Sequence, residues 1–465
     1  MRNQRTAAAL ALVAAFAWPS RAAAPQASPE TAPSPFLAEY REVTSQLIQA
    51  AQQTNLAFAR LAYLCDTFGP RPTGSTNLEA AIDWVLEEMK RDGLENVRGE
   101  PVTVPHWVRG SESAELLQPR HHALRILGVG GSVGTAPQGL TAEVLVVQSF
   151  DELKKRGREA KGKIILFNVA FTDYGSTVSI RTRGAVEAAR VGAVASLIRS
   201  VGPFSMQTPH TGTMSYDASV PKIPHAAVTL EDAAMLQRMQ DRGQRVELRL
   251  KMKSERLPDA TSRNVVGEIL GREQTNEIVL VSGHIDSWDV GQGAMDDGGG
   301  CLVAWETIRL MKKLGFRPRR TVRVVLWTGE ENGLWGAKAY RLRHAGQLSD
   351  HVLAIESDRG PFQPKGFAFT GSSKAMPYLQ SIARFLDPIG AGELTSGTGG
   401  MDVLELRQAG VPAMDLVVDR EKYFWFHHSE ADTVDKLDPR ELNSCIGAVA
   451  TMAYVVADMP DRLPR

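Results

Sequence analysis

The sequence predicts an α/β protein: a mixed, mostly parallel central sheet flanked by helices, with a β-rich segment inserted into it. Three observations carry that expectation. From residue 256 onward strand-like apolar runs alternate with helical ones: NVVGEILG, EIVLVSGH, the helix CLVAWETIRLMKKLG, then TVRVVLWTGEE, LWGAKAYRLRHAG and HVLAIESD. Such alternation implies parallel strands with helices on both faces. Between residues 111 and 255 the texture changes to short β runs with one or two helices, which reads as an insertion. Polar residues also gather where the strands end, the edge at which open α/β sheets bind ligands.

The chain opens on a basic MRNQR, an apolar TAAALALVAAFAW and small residues up to Ala24. This is the pattern of a secretory signal peptide over 1–24. The apolar run is about half the length of a spanning helix, so a secreted or periplasmic protein is expected, not an anchored one. Residues 25–35, PQASPETAPSP, form a linker with no packing face. A first part of the main domain, 36–110, follows. It opens with a helix from Phe36 to about Arg60 and a Pro/Gly-broken loop, CDTFGPRPTGS. NLEAAIDWVLEEMKRDGL is an amphipathic helix in which Ala81, Trp84, Val85 and Met89 share a face. VRGEPVTVPHWVRG reads as an edge strand, because Pro101 and Pro105 would spoil a central one.

The inserted domain, 111–255, carries the runs ALRILGV, LTAEVLVVQ, GKIILFN, VASLIRS and IPHAAVTL, with helices at RTRGAVEAARVG and EDAAMLQRMQD. Its LGVGGSVGTAP lacks both the Lys-Ser/Thr ending of a phosphate loop and a strict GxGxxG, and reads as a plain loop. The second part of the main domain, 256–465, ends with FAFTG, MPYLQSIARFL, VLELRQAG, PAMDLVV and the helix LNSCIGAVATMAYVVADM.

Composition narrows the function classes. The formal net charge is zero, against the basic stripe expected of a nucleic-acid-binding protein. No apolar run of bilayer length follows the N-terminus, so no membrane role is expected. Three cysteines cannot all pair within one chain, so no disulfide framework holds the fold.

Four strand ends carry the chemistry. His284 and Asp286 end the first, with Asp296 and Asp297 delivered by the loop after it. Glu330 and Glu331 follow VRVVLWT, Asp358 ends VLAIESD, and His427 and His428 follow YFWF. Any one of these has an ordinary reading as a turn, cap or solvated residue. Together they would repel one another unless a cation sat between them. Imidazole with carboxylate suits zinc.

The motifs GHIDSWDVGQGAMDDGGG, LWTGEENGLWGAKAY, IESD and FHHSEADT resemble the four active-site motifs of the dizinc aminopeptidase and glutamate carboxypeptidase family of metallopeptidases. The resemblance runs from about Phe36 to the end, implies the zinc exopeptidase fold, and makes 111–255 similar to the family's protease-associated domain. It implies two zinc ions, with Asp296 bridging and His284, Glu331, Asp358 and His428 completing the ligands. His428 rather than His427 fits the pattern His-Ser-x-x-Asp-Thr. Glu330 would be the general base, and Asp286 would accept the second ring N–H of His284. The family's cis peptide after the bridging Asp falls on Asp296–Asp297.

Several relatives carry Tyr before the last His ligand, where this chain has His427. His427 or the nearby Tyr423 is therefore the candidate donor to the scissile carbonyl, or His427 is merely packed. Asp402, in TGGMDV, lines the site, positions a neighbour or caps the helix VLELRQAG. The expected activity is hydrolysis of dipeptides or short peptides by a homodimer. Which peptide terminus is read stays open between carboxypeptidase and aminopeptidase. A catalytically silent binding protein would lack ligands, and a single-zinc cyclising transferase would not need all five.

Overall fold

Four apolar runs lie side by side as parallel strands: Arg320–Trp327, Gln274–His284, His351–Glu356 and Ala413–Val418. Antiparallel pairing extends this core on both sides. Across the sheet the order is Glu95–Val108, Glu255–Ile269, Arg320–Trp327, Gln274–His284, His351–Glu356, Ala413–Val418, Pro364–Thr370 and Glu393–Ser396. The proline-bearing strand Glu95–Val108 takes an edge, where a missing N–H leaves no central ladder position unfilled.

The computed structural model describes residues 35–465. The signal peptide expected over 1–24, and the linker apart from its last residue, lie outside the described residues. By its contacts the chain divides into Met1–Glu39 and Tyr40–Arg465, and both sheets belong to the second unit. No helix among the described residues is long and apolar enough to cross a membrane.

One face of the sheet packs Ile278, Leu280, Val325 and Trp327 against Ala337 and Tyr340 of the helix Trp335–Arg343. The helices Gly299–Lys313 and Pro439–Asp458 pack on each other and on the strand Gln274–His284. Both are buried around most of their circumference, as an interior helix must be. Each fully buried Val, Leu or Ile contributes about 1.5–3 kcal/mol. The parallel strands are therefore the firm part of the molecule, and groups at their ends inherit that firmness.

The second sheet is drawn wholly from Glu112–Met252. Its order is His122–Leu124, Glu112–Gln118, Glu247–Met252, Leu140–Val147, Ile164–Phe167, Ala195–Arg199, His225–Val228 and Ile126–Gly128. It has a core on each face. Ile164 and Leu166 pack toward Ala233 and Leu236 of the helix Leu230–Asp241. Ile165 and Phe167 pack toward Ala185 and Ala188 of the helix Ser179–Arg190. The segment is thus not simply β-rich. Four of its strands run parallel with a helix on each face, a small α/β layer of its own.

Two local expectations are corrected. The helix from Phe36 to Arg60 is two helices, Pro35–Gln52 and Leu56–Phe68. Thr54 breaks the run by accepting the Leu56 N–H on its side-chain oxygen, an alternative to the helical ladder. The second helix runs into the expected loop as far as Phe68, and Gly69, at φ +64°, ends it.

Candidate metal centre

Register brings the strand ends level. His284 lies opposite Trp327, three residues before Glu330. Ser282 lies opposite Glu356, which sets Asp358 beside the end of the His284 strand. The loop after His284 then returns Asp296 to the same edge. Its φ/ψ is non-helical, and the Asp296–Asp297 peptide is cis.

Asp296 sits at the middle of the cluster. Its Oδ1 is 3.1 Å from His284 Nε2, and its Oδ2 is 3.3 Å from His428 Nε2. Asp358 Oδ1 lies 3.4 Å from His284 Nε2, and Glu331 Oε2 lies 3.0 Å from His428 Nε2. The five residues thus form two groups that share Asp296. Of the carboxylates His427 pairs only with Asp296, at 3.6 Å, whereas His428 pairs with Asp296 and Glu331, so His428 is the better placed of the histidine pair. Asp296 Oδ2 and Glu331 Oε1 are buried and have no hydrogen-bond donor among the described residues.

The electrostatics have a single sense. Burial alone would lower the His284 and His428 pKa values, but the carboxylates around them outweigh it and raise both well above 6.5. Burial raises the Glu330 carboxyl well above its ordinary range, against the pull of His284, and Asp358, Glu331 and Asp296 add to the rise. Four carboxylates facing two imidazoles leave a negative surplus. An unpaired buried charge costs several kcal/mol. Cations among these oxygens and imidazole nitrogens remove that cost, and the donor set is one that zinc takes.

Surrounding groups hold the cluster. His284 Nδ1 is 2.9 Å from the Asp286 backbone carbonyl. The sequence points to the Asp286 carboxylate as that partner, and this is corrected: at 3.8 Å the carboxylate is out of range. It instead accepts the N–H groups of Gly329 and Glu330 at 2.7 and 3.2 Å, fixing the turn that carries Glu330. Asp297 Oδ2 accepts the His284 N–H. Asp402 neither lines the cavity nor caps a helix. Its side chain is buried without a hydrogen-bond partner among the described residues, behind a turn whose N–H groups bond to Glu356.

Four supporting residues were not found from the sequence. Asp432 accepts the N–H groups of Met295 and Asp296 at 2.6 and 3.1 Å. Its signal was present, as the Asp of FHHSEADT. Arg71, fully buried, donates to the carbonyls of Ile285, Gln292 and Gly293 and so ties down the loop before Asp296. Thr211 donates its N–H to the His428 carbonyl, and its own carbonyl is 3.3 Å from His428 Nδ1. Arg181 Nη1 lies 3.4 Å from that same nitrogen. Thr211 and Arg181 both come from the segment of the second sheet.

A cavity of about 560 Å³ opens over the cluster, within the usual size for a small-ligand site. Asp296, Glu330, Glu331, Asp358, His427 and His428 line it from the main sheet, and Tyr174 and Arg181 from the other side. Tyr423 also lines it. His427 is stacked on His428 with ring centroids 3.5 Å apart.

A sheet with a parallel centre, a buried carboxylate and imidazole cluster at its strand ends and a cavity above it suits a metallopeptidase, and the comparisons with known proteins point to a metallo-exopeptidase. Residues 264–453 match the family model for peptidase family M28. The chain is 51% identical to carboxypeptidase Q of Homo sapiens over 88% of its length and 87% of the relative's. It is 50% identical to carboxypeptidase Q of Bos taurus, over 92% of both chains. The crystal structure of a peptidase M28 precursor from Shewanella amazonensis superposes with a TM-score of 0.89 at 35% identity, covering 92% of this chain and 99% of that one. The chain belongs to peptidase family M28.

Proposed function

We propose that the chain is a zinc-dependent exopeptidase that hydrolyses dipeptides or short peptides with water. Two zinc ions would be held by His284 and Asp358 on one side and His428 and Glu331 on the other, with Asp296 shared. The two groups meeting at Asp296 carry this reading, because one lone ion beside His284 would leave Glu331, whose Oε1 is buried without a donor among the described residues, unmet. Bound zinc supplies polarisation of the scissile carbonyl and a lowered pKa for water.

The protein's own groups do the rest. Glu330 is the general base: its carboxylate lines the cavity beside the cluster and takes the proton of the attacking water. The same carboxyl then passes that proton to the leaving amine. Asp286 keeps Glu330 aimed by holding the backbone of its turn. The segment 111–255, read as a protease-associated domain, roofs the cavity and steadies His428 through Thr211. By resemblance to the family, the proposal extends to export through residues 1–24 and to a homodimer.

A dipeptide panel tests it. Chelation abolishes turnover, added zinc restores it, and metal analysis returns two ions per chain. Glu330→Gln keeps the metal and loses at least about 100-fold in kcat, the size expected for a general base. A Glu330→Gln enzyme with zinc bound and near-normal turnover overturns the mechanism.

A further inference from the structure

The cavity holds a second feature, apart from the metal cluster. Arg359 lines its wall, and the Arg359 Nε donates to Asp415 Oδ2 at 2.7 Å. Asp415 belongs to the buried strand Ala413–Val418 and is 2% exposed, so the tether is firm. The Arg359 Nη atoms have no hydrogen-bond partner among the described residues, and about a third of the side chain, 32%, is open to solvent. A guanidinium held through Nε presents its Nη pair, the planar fork that matches a carboxylate with two parallel hydrogen bonds.

The other cations of the cavity are committed. Arg181 is buried and spends its Nη atoms on the Thr211 carbonyl and the Tyr174 hydroxyl. Lys338 donates to the Gly333 carbonyl and lies over the Trp335 ring. Of the carboxylates at this wall among the described residues, Asp358 belongs to the proposed metal group, and Asp415 Oδ1 is buried without a hydrogen-bond partner. Arg420 lies near enough for its charge to be felt there; of the two carboxylates that act on Arg359, Asp358 belongs to the proposed metal group, which leaves two guanidinium groups to Asp415. The wall offers N–H donors and positive charge.

We propose that Arg359, aligned by Asp415, is the specificity-determining residue that binds a free carboxylate of the peptide substrate and so makes the enzyme read an acidic end. This rests on the exopeptidase reading above. The carboxylate can come from the C-terminus of the substrate or from an acidic side chain.

Three substrates for the zinc-loaded enzyme separate the cases: Leu-Ala, Leu-Ala amide and Leu-Glu amide. Wild type is expected to favour Leu-Ala over Leu-Ala amide by about 100-fold in kcat/KM, the worth of a charged hydrogen-bonded contact. Arg359→Gln collapses that ratio toward one, mostly through KM on Leu-Ala, and Arg359→Lys recovers part of it. Asp415→Asn, which loosens the tether without removing the guanidinium, lowers the ratio in the same direction. Leu-Glu amide cleaved as well as Leu-Ala assigns the side-chain source; cleaved as poorly as Leu-Ala amide, it assigns the C-terminus. Equal cleavage of acid and both amides by wild type, all lost on chelation, overturns the role of Arg359 while the peptidase reading stands. Equal losses on acid and amide in both the Gln and Asn variants also overturn it. No cleavage of any substrate by zinc-loaded wild type brings down the peptidase reading, and this inference with it.

Discussion

His427 and His428 are neighbours with opposite electrostatics. His428 lies between Asp296 and Glu331, which outweigh burial and raise its pKa. His427 is buried beside His428, and both effects hold its pKa well below 6.5, so its ring is neutral. Its Nε2 points toward Asp296 at 3.6 Å and its ring is stacked against His428. Tyr423 is different: burial first, then the nearby carboxylates, keep its hydroxyl protonated, and it lines the cavity. A protonated hydroxyl facing substrate is the better donor to a developing oxyanion. Tyr423→Phe should therefore lower kcat by about 10²-fold, the usual effect of losing one such donor. His427→Ala should lower it less. Steady-state kinetics at saturating zinc check both, and the reverse order would move the donor role to His427.

At the scale of elements, the loop between His284 and Asp296 matters most. It has no regular structure, yet it must deliver a carboxylate to within about 3 Å of two imidazoles. Arg71 ties its start, at Ile285, to Gln292 and Gly293, and Asp432 holds its last two residues. Asp432→Ala removes the acceptor for two N–H groups beside Asp296 and should weaken zinc binding by about 10–100-fold, as losing a support behind a ligand does. A zinc competition titration measures this, and unchanged affinity would mean the loop is set by Arg71 alone. The strands leading to His284, Glu330 and Asp358 were legible as long apolar runs, because parallel strands are buried on both faces. So was the gathering of polar groups at their ends. The second sheet was only half legible, since runs as short as Ile164–Phe167 and His225–Val228 do not reveal which way they pair. The strand Glu393–Ser396 was not legible at all; it is mostly exposed and carries no apolar pattern. Arg71 and Thr211 left no trace because they work through backbone carbonyls and amides far away in sequence, and backbone groups carry no residue identity.

At the scale of the whole unit, the two sheets meet at the proposed metal site. His210 and Thr211, from the segment of the second sheet, pair with the backbone around His428, and Arg181 joins Thr211 to the same ring. Loosening the second sheet should therefore loosen the proposed ligand His428, and acid offers a way to do so. His225 is fully buried in that sheet, with its ring nitrogens 3.3 and 3.0 Å from the carbonyls of Ser196 and Arg181. Burial pushes its pKa down to about 4, against the pull of the Arg181 and Ser196 carbonyls toward the protonated ring, and the Arg181 charge adds to the fall. In the unfolded chain the same imidazole titrates near 6.5. Between those values the unfolded state binds a proton that the folded state refuses. The stability due to neutral His225 is fully present above about pH 6.5 and is lost as pH falls toward 4, at about 1.4 kcal/mol per pH unit. His225→Gln should lower stability at pH 7, where a buried contact is disturbed, but show a shallower fall in the urea midpoint between pH 6.5 and 4.5. Zinc release measured over the same range should follow the unfolding of the second sheet and shift with it in the variant. Parallel pH profiles for wild type and His225→Gln would remove His225 as the origin, and zinc release that ignores the second sheet would mean that Thr211 does not hold His428.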